Sequence, residues 1–205
     1  MIAVIDYGMG NLASVGNALQ RLGLDYEISG DPMCITEAER VILPGVGAFE
    51  DAINHLHQRG IDVAVKDLVR RGTPLLGVCL GLQLLFTESE ENGLHRGLDI
   101  IPGRVIRFAD IPYKIPHMGW NSVRYQEQSS IFAGIPQNSF FYFVHSYYVQ
   151  PKDSEWAVAD CDYGINFCCA VERSNLWATQ FHPEKSGTIG LQILKNFAEW
   201  RGGVL

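Results

Sequence analysis

Cys79 sits inside Gly77-Val78-Cys79-Leu80-Gly81, and His182-Pro183-Glu184 follows far downstream. These residue types suit nucleophilic chemistry on an acyl carbon: a thiol to attack, an imidazole to take its proton, and a carboxylate to hold the imidazole in one tautomer. Residues 74–78 form an apolar run and residues 80–86 another. The cysteine between them is therefore expected on a sharp strand-to-helix turn, with its sulfur exposed and glycines where backbone and helix approach closely. A helix N-terminus at that point favours thiolate over thiol. His182 closes the run 176–181, and Glu184, two residues on, is within reach of its ring. The pattern predicts a Cys79-His182-Glu184 triad. Taken singly, the cysteine also reads as a small buried hydrophobe and His-Pro-Glu as a turn. Their joint occurrence around a glycine-flanked cysteine favours catalysis.

Attack by a thiolate creates a tetrahedral oxyanion, which needs two preorganised N–H donors; losing one costs about 3 kcal/mol of transition-state stabilisation. The amide of Leu80 is the first candidate. The second is Val46, flanked by Gly45 and Gly47 in a loop that reads otherwise as a plain tight turn.

The elements that must hold these groups are legible as alternation. Runs at 2–5, 26–29, 41–43 and 75–78 read as strands, and amphipathic stretches at 11–22, 48–59 and 63–71 as helices. Strand-helix alternation implies a parallel sheet flanked by helices, with ligands gathered at the carboxyl ends of the strands. Three loops satisfy that rule, at 6–11, at 44–47 and around Cys79. The second half reads differently: 104–108, 119–125, 140–149, 156–160, 167–171 and 176–181 are strand-like without intervening helices, so an antiparallel section is expected. A closing helix is expected over 189–200, with Ile189, Ile193, Leu194 and Phe197 on one stripe. The fold class is thus α/β, an open mixed and mainly parallel sheet with an antiparallel section, and residues 1–205 read as one domain.

Composition narrows the function classes. A net charge of −7 lacks the clustered Lys and Arg that phosphate neutralisation needs, so a nucleic-acid partner is excluded. No apolar run approaches the ~20 residues of a membrane helix. No basic segment precedes an apolar one at the start, so a cytoplasmic protein without a signal peptide is expected. Five cysteines without paired spacing fit a reducing compartment. His55 and His57 lie two apart on a helical stretch and face different ways, which argues against a metal pair. Cys168 and Cys169 are adjacent on a strand and point to opposite faces.

The Gly-x-Cys-x-Gly elbow and late His-x-Glu resemble those of the class I glutamine amidotransferases, whose fold is flavodoxin-like. The likeness runs from the Asp6-Tyr7-Gly8 loop to Lys185. Residues 44–49, 115–121 and 142–147 look like motifs of one branch of that family, the glutaminases of histidine biosynthesis. Most of the family carries Gly-Gly at the oxyanion loop, whereas Gly45 here is followed by Val46. The resemblance implies glutamine as substrate, hydrolysed through a thioester on Cys79, with Gly47, Gln83, Glu91, His145, Ser146 and Tyr147 around it and with neither cofactor nor metal. Glu91 also reads as part of a solvated acidic run, and His145 as a structural histidine. Because only five residues follow Trp200, no acceptor domain is expected on this chain. The resemblance supplies a separate (β/α)8-barrel cyclase that consumes the ammonia, with Asn11, Trp120, Tyr142 and Lys185 on the docking face. In that branch the products are imidazole glycerol phosphate and an aminoimidazole carboxamide ribotide, and the glutaminase is weak until the partner docks. Alternatives from the residues alone are a stand-alone cysteine hydrolase, a non-catalytic glutamine sensor, and a glutaminase serving anthranilate or aminodeoxychorismate synthesis.

Overall fold

The computed structural model describes residues 1–200; the last five residues of the expected 1–205 span lie outside it. The first half is the expected parallel layer. Strands β1 (Ile2–Ile5), β2 (Tyr26–Ser29), β3 (Arg40–Leu43) and β4 (Leu75–Val78) pair in the order β2-β1-β3-β4, all parallel. Every residue of β1 and β4 is buried, as a sheet covered on both faces requires. Helices α1 (Leu12–Arg21), α3 (Phe49–Gln58) and α4 (Ile61–Arg70) fall on the expected stretches. Helix α2 (Pro32–Glu37) was not expected. It is too short to show a 3.6-residue period, and its signal is local: Asp31 Oδ1 accepts from the Met33 N–H at 2.9 Å, and Pro32 occupies the first turn.

After Cys79 the chain forms only the short α5 (Leu80–Leu84), because residues 86–89 are drawn into strand β5 (Phe86–Ser89) beside β7 (Ile101–Arg107), with the two-residue β6 (His95–Arg96) at the sheet edge. The remaining strands are β8 (His117–Tyr125), β9 (Ser139–His145), β10 (Tyr147–Pro151), β11 (Ala157–Asp162), β12 (Asn166–Arg173) and β13 (Leu176–Thr179), followed by α6 (Gly187–Glu199). The stretch 140–149 is two strands rather than one. It breaks at Ser146, so that β9 pairs with β8 while β10 pairs with β7 and β12.

One strand joins the two halves. β13 runs antiparallel to β12 but parallel to β4, with Thr179 opposite Val78. The sheet is therefore continuous from the parallel layer into the antiparallel section. Two buried clusters lie on its faces; Cys169 belongs to one, and half-buried Cys168 packs against the other. Ile193, Leu194 and Phe197 of α6 are buried, with Ile189 packed beside them. His55 bonds the Tyr7 carbonyl and His57 bonds Asp62, so this pair does face different ways.

Candidate active site

Three neighbouring strands end in the three loops that matter. β3 leads into 44–47, β4 into Cys79, and β13 into 180–184, and the Cys79 N–H donates to the Thr179 carbonyl at 2.7 Å. Cys79 has φ 56 and ψ −108, a conformation that costs a side-chain-bearing residue about 1–3 kcal/mol and is held only by its surroundings. The glycines on either side make it feasible. A Cβ on Gly81 would lie 1.9 Å from the Leu43 carbonyl oxygen, and one on Gly77 would lie 3.0 Å from the Gly81 oxygen. Gly45 packs as closely, since its Cβ would meet Leu80 Cβ at 2.8 Å and the Gly81 nitrogen at 2.9 Å. The loop and the elbow are thus in backbone contact. Buried Tyr7 donates its hydroxyl to the Pro44 carbonyl at 3.0 Å and braces that loop; burial, then the nearby Cys79 sulfur, push its pKa upward.

His182 Nδ1 bonds Glu184 Oε1 at 2.8 Å, and both side chains are almost wholly buried. Burial by itself lowers the pKa of an imidazole; the nearby Cys79 sulfur and the hydrogen-bonded Glu184, with the charges on both, outweigh it and raise His182 to about 10. The Nε2 atom is buried without an aligned hydrogen-bond partner. Cys79 and His182 line one cavity of about 260 Å³.

The same cavity is lined by Val46, Gly47, Leu80, Gln83, Glu91, His145, Ser146 and Tyr147, so the residues expected from opposite ends of the chain are brought together, and Glu184 joins them through its bond to His182. Gly47 has φ 97, which a glycine adopts freely. Leu80 is the first residue of α5, where an N–H has no partner within the helix. Glu91 is not simply solvated: its Oε2 accepts from the Phe49 N–H at 2.8 Å. Gln83 donates to the Tyr147 carbonyl at 3.0 Å and to Gln180 Oε1 at 3.1 Å. His145 has both ring nitrogens engaged, Nδ1 with the Tyr147 carbonyl at 2.8 Å and Nε2 with His117 Nδ1 at 3.0 Å. Burial is the main cause that lowers His145 to about 3 and His117 to about 4, so both are neutral rings. The structural reading of His145 is the one its bonding supports.

The family model described as Glutamine amidotransferase class-I matches residues 3–200. The chain belongs to the class-I glutamine amidotransferases. It is similar to a protein of Moorella thermoacetica named imidazole glycerol phosphate synthase subunit HisH, 54% identical over 97% of this chain and 94% of that one. A second protein of that name, from Syntrophotalea carbinolica, is 51% identical over 97% of this chain and 100% of its own. Among solved structures the fold resembles a glutamine amidotransferase at TM-score 0.76, 18% identical over 97% of this chain and 98% of the other. It also resembles the glutaminase domain of Trypanosoma brucei CTPS with bound acivicin, at TM-score 0.65, 17% identical over 97% and 93% of the two chains.

In this amidotransferase three of the four expected docking residues lie beside one another. Trp120 and Tyr142 are cross-strand partners with rings 6.1 Å apart, and Lys185 Nζ lies 5.9 Å from the Tyr142 ring centre. Asn11 caps α1, accepting from the Ser14 N–H at 3.3 Å. Two site residues went unread in the sequence. Ser186 Oγ donates to the His182 carbonyl at 2.6 Å and accepts from the Tyr142 N–H at 3.0 Å, tying the base to β9. Gln180 reaches the cysteine, with Nε2 at 3.8 Å from Cys79 Sγ. The available signal was its place two residues before His182, on the same side of an otherwise apolar run.

Proposed function

We propose that this amidotransferase is the glutaminase subunit of an imidazole glycerol phosphate synthase in histidine biosynthesis. It acts as one domain, in the cytoplasm, and delivers ammonia to a (β/α)8-barrel cyclase. The observation that carries the chemistry is His182, fixed through Nδ1 by Glu184 and sharing one cavity with Cys79. The choice of branch rests on relatives about half identical over nearly their full length. A free-standing hydrolase has no need of an aromatic docking surface, and a glutamine sensor has no need of the Cys79 nucleophile.

Cys79 Sγ attacks the carboxamide carbon of glutamine as a thiolate, its proton already held on His182, whose pKa is raised to about 10. The oxyanion so formed accepts from the Leu80 and Val46 N–H groups. The C–N bond then breaks as His182 returns the proton to the leaving nitrogen, giving ammonia and a glutamyl thioester. Water loses a proton to His182 and attacks the thioester; the C–S bond breaks, sulfur recovers the proton and glutamate departs. Glu91 is suited to the α-ammonium, while Ser146 and the backbone at Gly47 and Tyr147 are suited to the α-carboxylate. Gln83 and His145 keep the Tyr147 carbonyl in place from within the wall.

The docking face lies on the outer side of the β8–β9 hairpin. Met118, Trp120 and Phe140 are exposed there in alternation, beside Tyr142 and Lys185. Such a patch of aromatics and methionine is what a stable partner would cover. Docking is coupled to turnover through Val46, whose amide turns toward the oxyanion when the partner is bound; the flanking Gly45 and Gly47 allow that rotation.

The test is mass spectrometry after treatment with an electrophilic glutamine mimic, with and without the cyclase and its substrate, alongside glutamine turnover. A single adduct on Cys79 and turnover stimulated at least tenfold by the loaded cyclase are the expected outcomes. No adduct on Cys79 removes the glutaminase reading, and equal turnover in both states removes the coupling.

A further inference from the structure

Gln180 is fully buried, so both ends of its amide need partners inside the protein. Its direction is set by the bonds around it. The Tyr147 carbonyl, which can only accept, takes one N–H of Gln83 at 3.0 Å. The second N–H on the same Gln83 nitrogen points at Gln180 at 3.1 Å and requires an oxygen there. Gln180 must then turn Nε2 away from Gln83 and toward Cys79 Sγ, 3.8 Å distant. On its other side that sulfur, besides facing His182, meets the Val144 carbonyl at 4.0 Å.

These two contacts respond oppositely to charge on the sulfur. A carbonyl oxygen suits a thiol, which can donate, and opposes a thiolate. An amide N–H accepts no such compromise: it donates to the sulfur in either state and does so more strongly once the sulfur is negative. With no water reaching the amide, its dipole is not screened away.

We infer that Gln180 is a further catalytic residue, an N–H donor to the nucleophilic sulfur that supports its charged form independently of His182. The inference rests on the glutaminase reading for what the sulfur attacks, but the contact itself does not. Gln180 belongs to the wall behind the sulfur rather than to the lining of the cavity, so it acts on the chemical step and not on glutamine affinity.

The test uses the complex with its cyclase. Gln180→Met keeps length and bulk while removing the donor. Iodoacetamide labelling of Cys79 is followed from about pH 5 to 10, and its midpoint is expected to move up by about one pH unit. Glutamine turnover is expected to fall about tenfold in kcat with KM unchanged. Gln180→Glu, which turns an oxygen on the sulfur, is expected to move the midpoint further the same way. A midpoint that stays put while kcat and thermal stability fall together marks Gln180 as packing alone and overturns the inference. A midpoint that moves while even the wild-type complex hydrolyses no glutamine keeps the Gln180 contact and removes the glutaminase reading. Should the variants fail to fold, wild-type protein carrying 15N-labelled glutamine decides: the Gln180 side-chain amide resonance is expected to titrate with the labelling midpoint, and a flat resonance overturns the inference.

Discussion

Two walls of one cavity carry the same side chain in opposite charge states. On the wall made by the ends of β4 and β13, His182 is raised to about 10; on the wall made by the β9–β10 corner, His145 is lowered to about 3. Both are buried, so burial does not distinguish them. Their partners do. His182 meets a buried carboxylate and a sulfur, whereas His145 meets a carbonyl and a second imidazole, itself stacked between Phe143 and Tyr163. A protein interior makes a proton carrier of one histidine and a dry strut of another by choosing the neighbour, and both rings serve the same pocket.

The largest break in this comparison is on the charged wall. Cys79→Ala and His182→Asn should each reduce glutamine turnover by at least about 10⁴-fold, and Glu184→Gln by roughly 10²–10⁴, because the ring loses its fixed tautomer. The double variant Cys79→Ala/His182→Asn is expected to be no slower than either single one, since groups that act as a unit are lost together. Multiplicative losses in steady-state kinetics would show that the two residues do not act on one step.

The walls should next fail at opposite ends of the pH scale. His182 is raised above its ordinary 6.5, so the stability it contributes is complete below pH 6.5 and disappears as pH climbs toward about 10. His145 is lowered, so its contribution is complete above pH 6.5 and disappears as pH falls toward about 3, amounting to a loss on the order of 3 kcal/mol near pH 4. Urea midpoints across this range should therefore fall on both sides. His145→Gln is expected to shrink the acid-side fall, which His117 shares, and His182→Asn to flatten the fall between pH 6.5 and about 9, above which the buried Cys161, Cys168 and Cys169 thiols, raised by burial, add a decline of their own. A variant that flattens the wrong side contradicts the assignment of charge.

Legibility in the sequence followed the same division. The charged wall was readable because its chemistry needs glycines at fixed offsets: a Cβ on Gly81 would collide with backbone and one on Gly77 would be crowded by it, and such a constraint leaves a local trace. The parallel layer was readable because β1 and β4 are wholly apolar and its longer helices are amphipathic. The break at Ser146 was not, since hydrophobic residues continue on both sides and only tertiary pairing decides that β9 and β10 join different neighbours. Helix α2 left too few residues to show a period, and α5 is cut short by a strand whose partner lies downstream. Gln180 and Ser186 act through contacts with residues distant in the chain or through backbone groups, for which a single sequence holds no register.

A third histidine sharpens what the carboxylate does. His57 Nδ1 bonds Asp62 Oδ2 at 2.8 Å, the same separation as between His182 and Glu184. Yet the His57 side chain is 48% exposed, where that of His182 is 2%. If a carboxylate at hydrogen-bond distance were sufficient, removing either pair would weaken the fold alike. Water reaches the half-exposed His57 ring and screens its charge, although Asp62 is itself buried, so His57→Ala is expected to cost about 1 kcal/mol and to leave glutamine turnover unchanged. Its urea midpoint should keep the wild-type decline between pH 6.5 and about 9, because that part of the decline belongs to His182. A cost several times larger would mean that proximity to a carboxylate, and not the dry enclosure shared with the sulfur, is what separates the two walls.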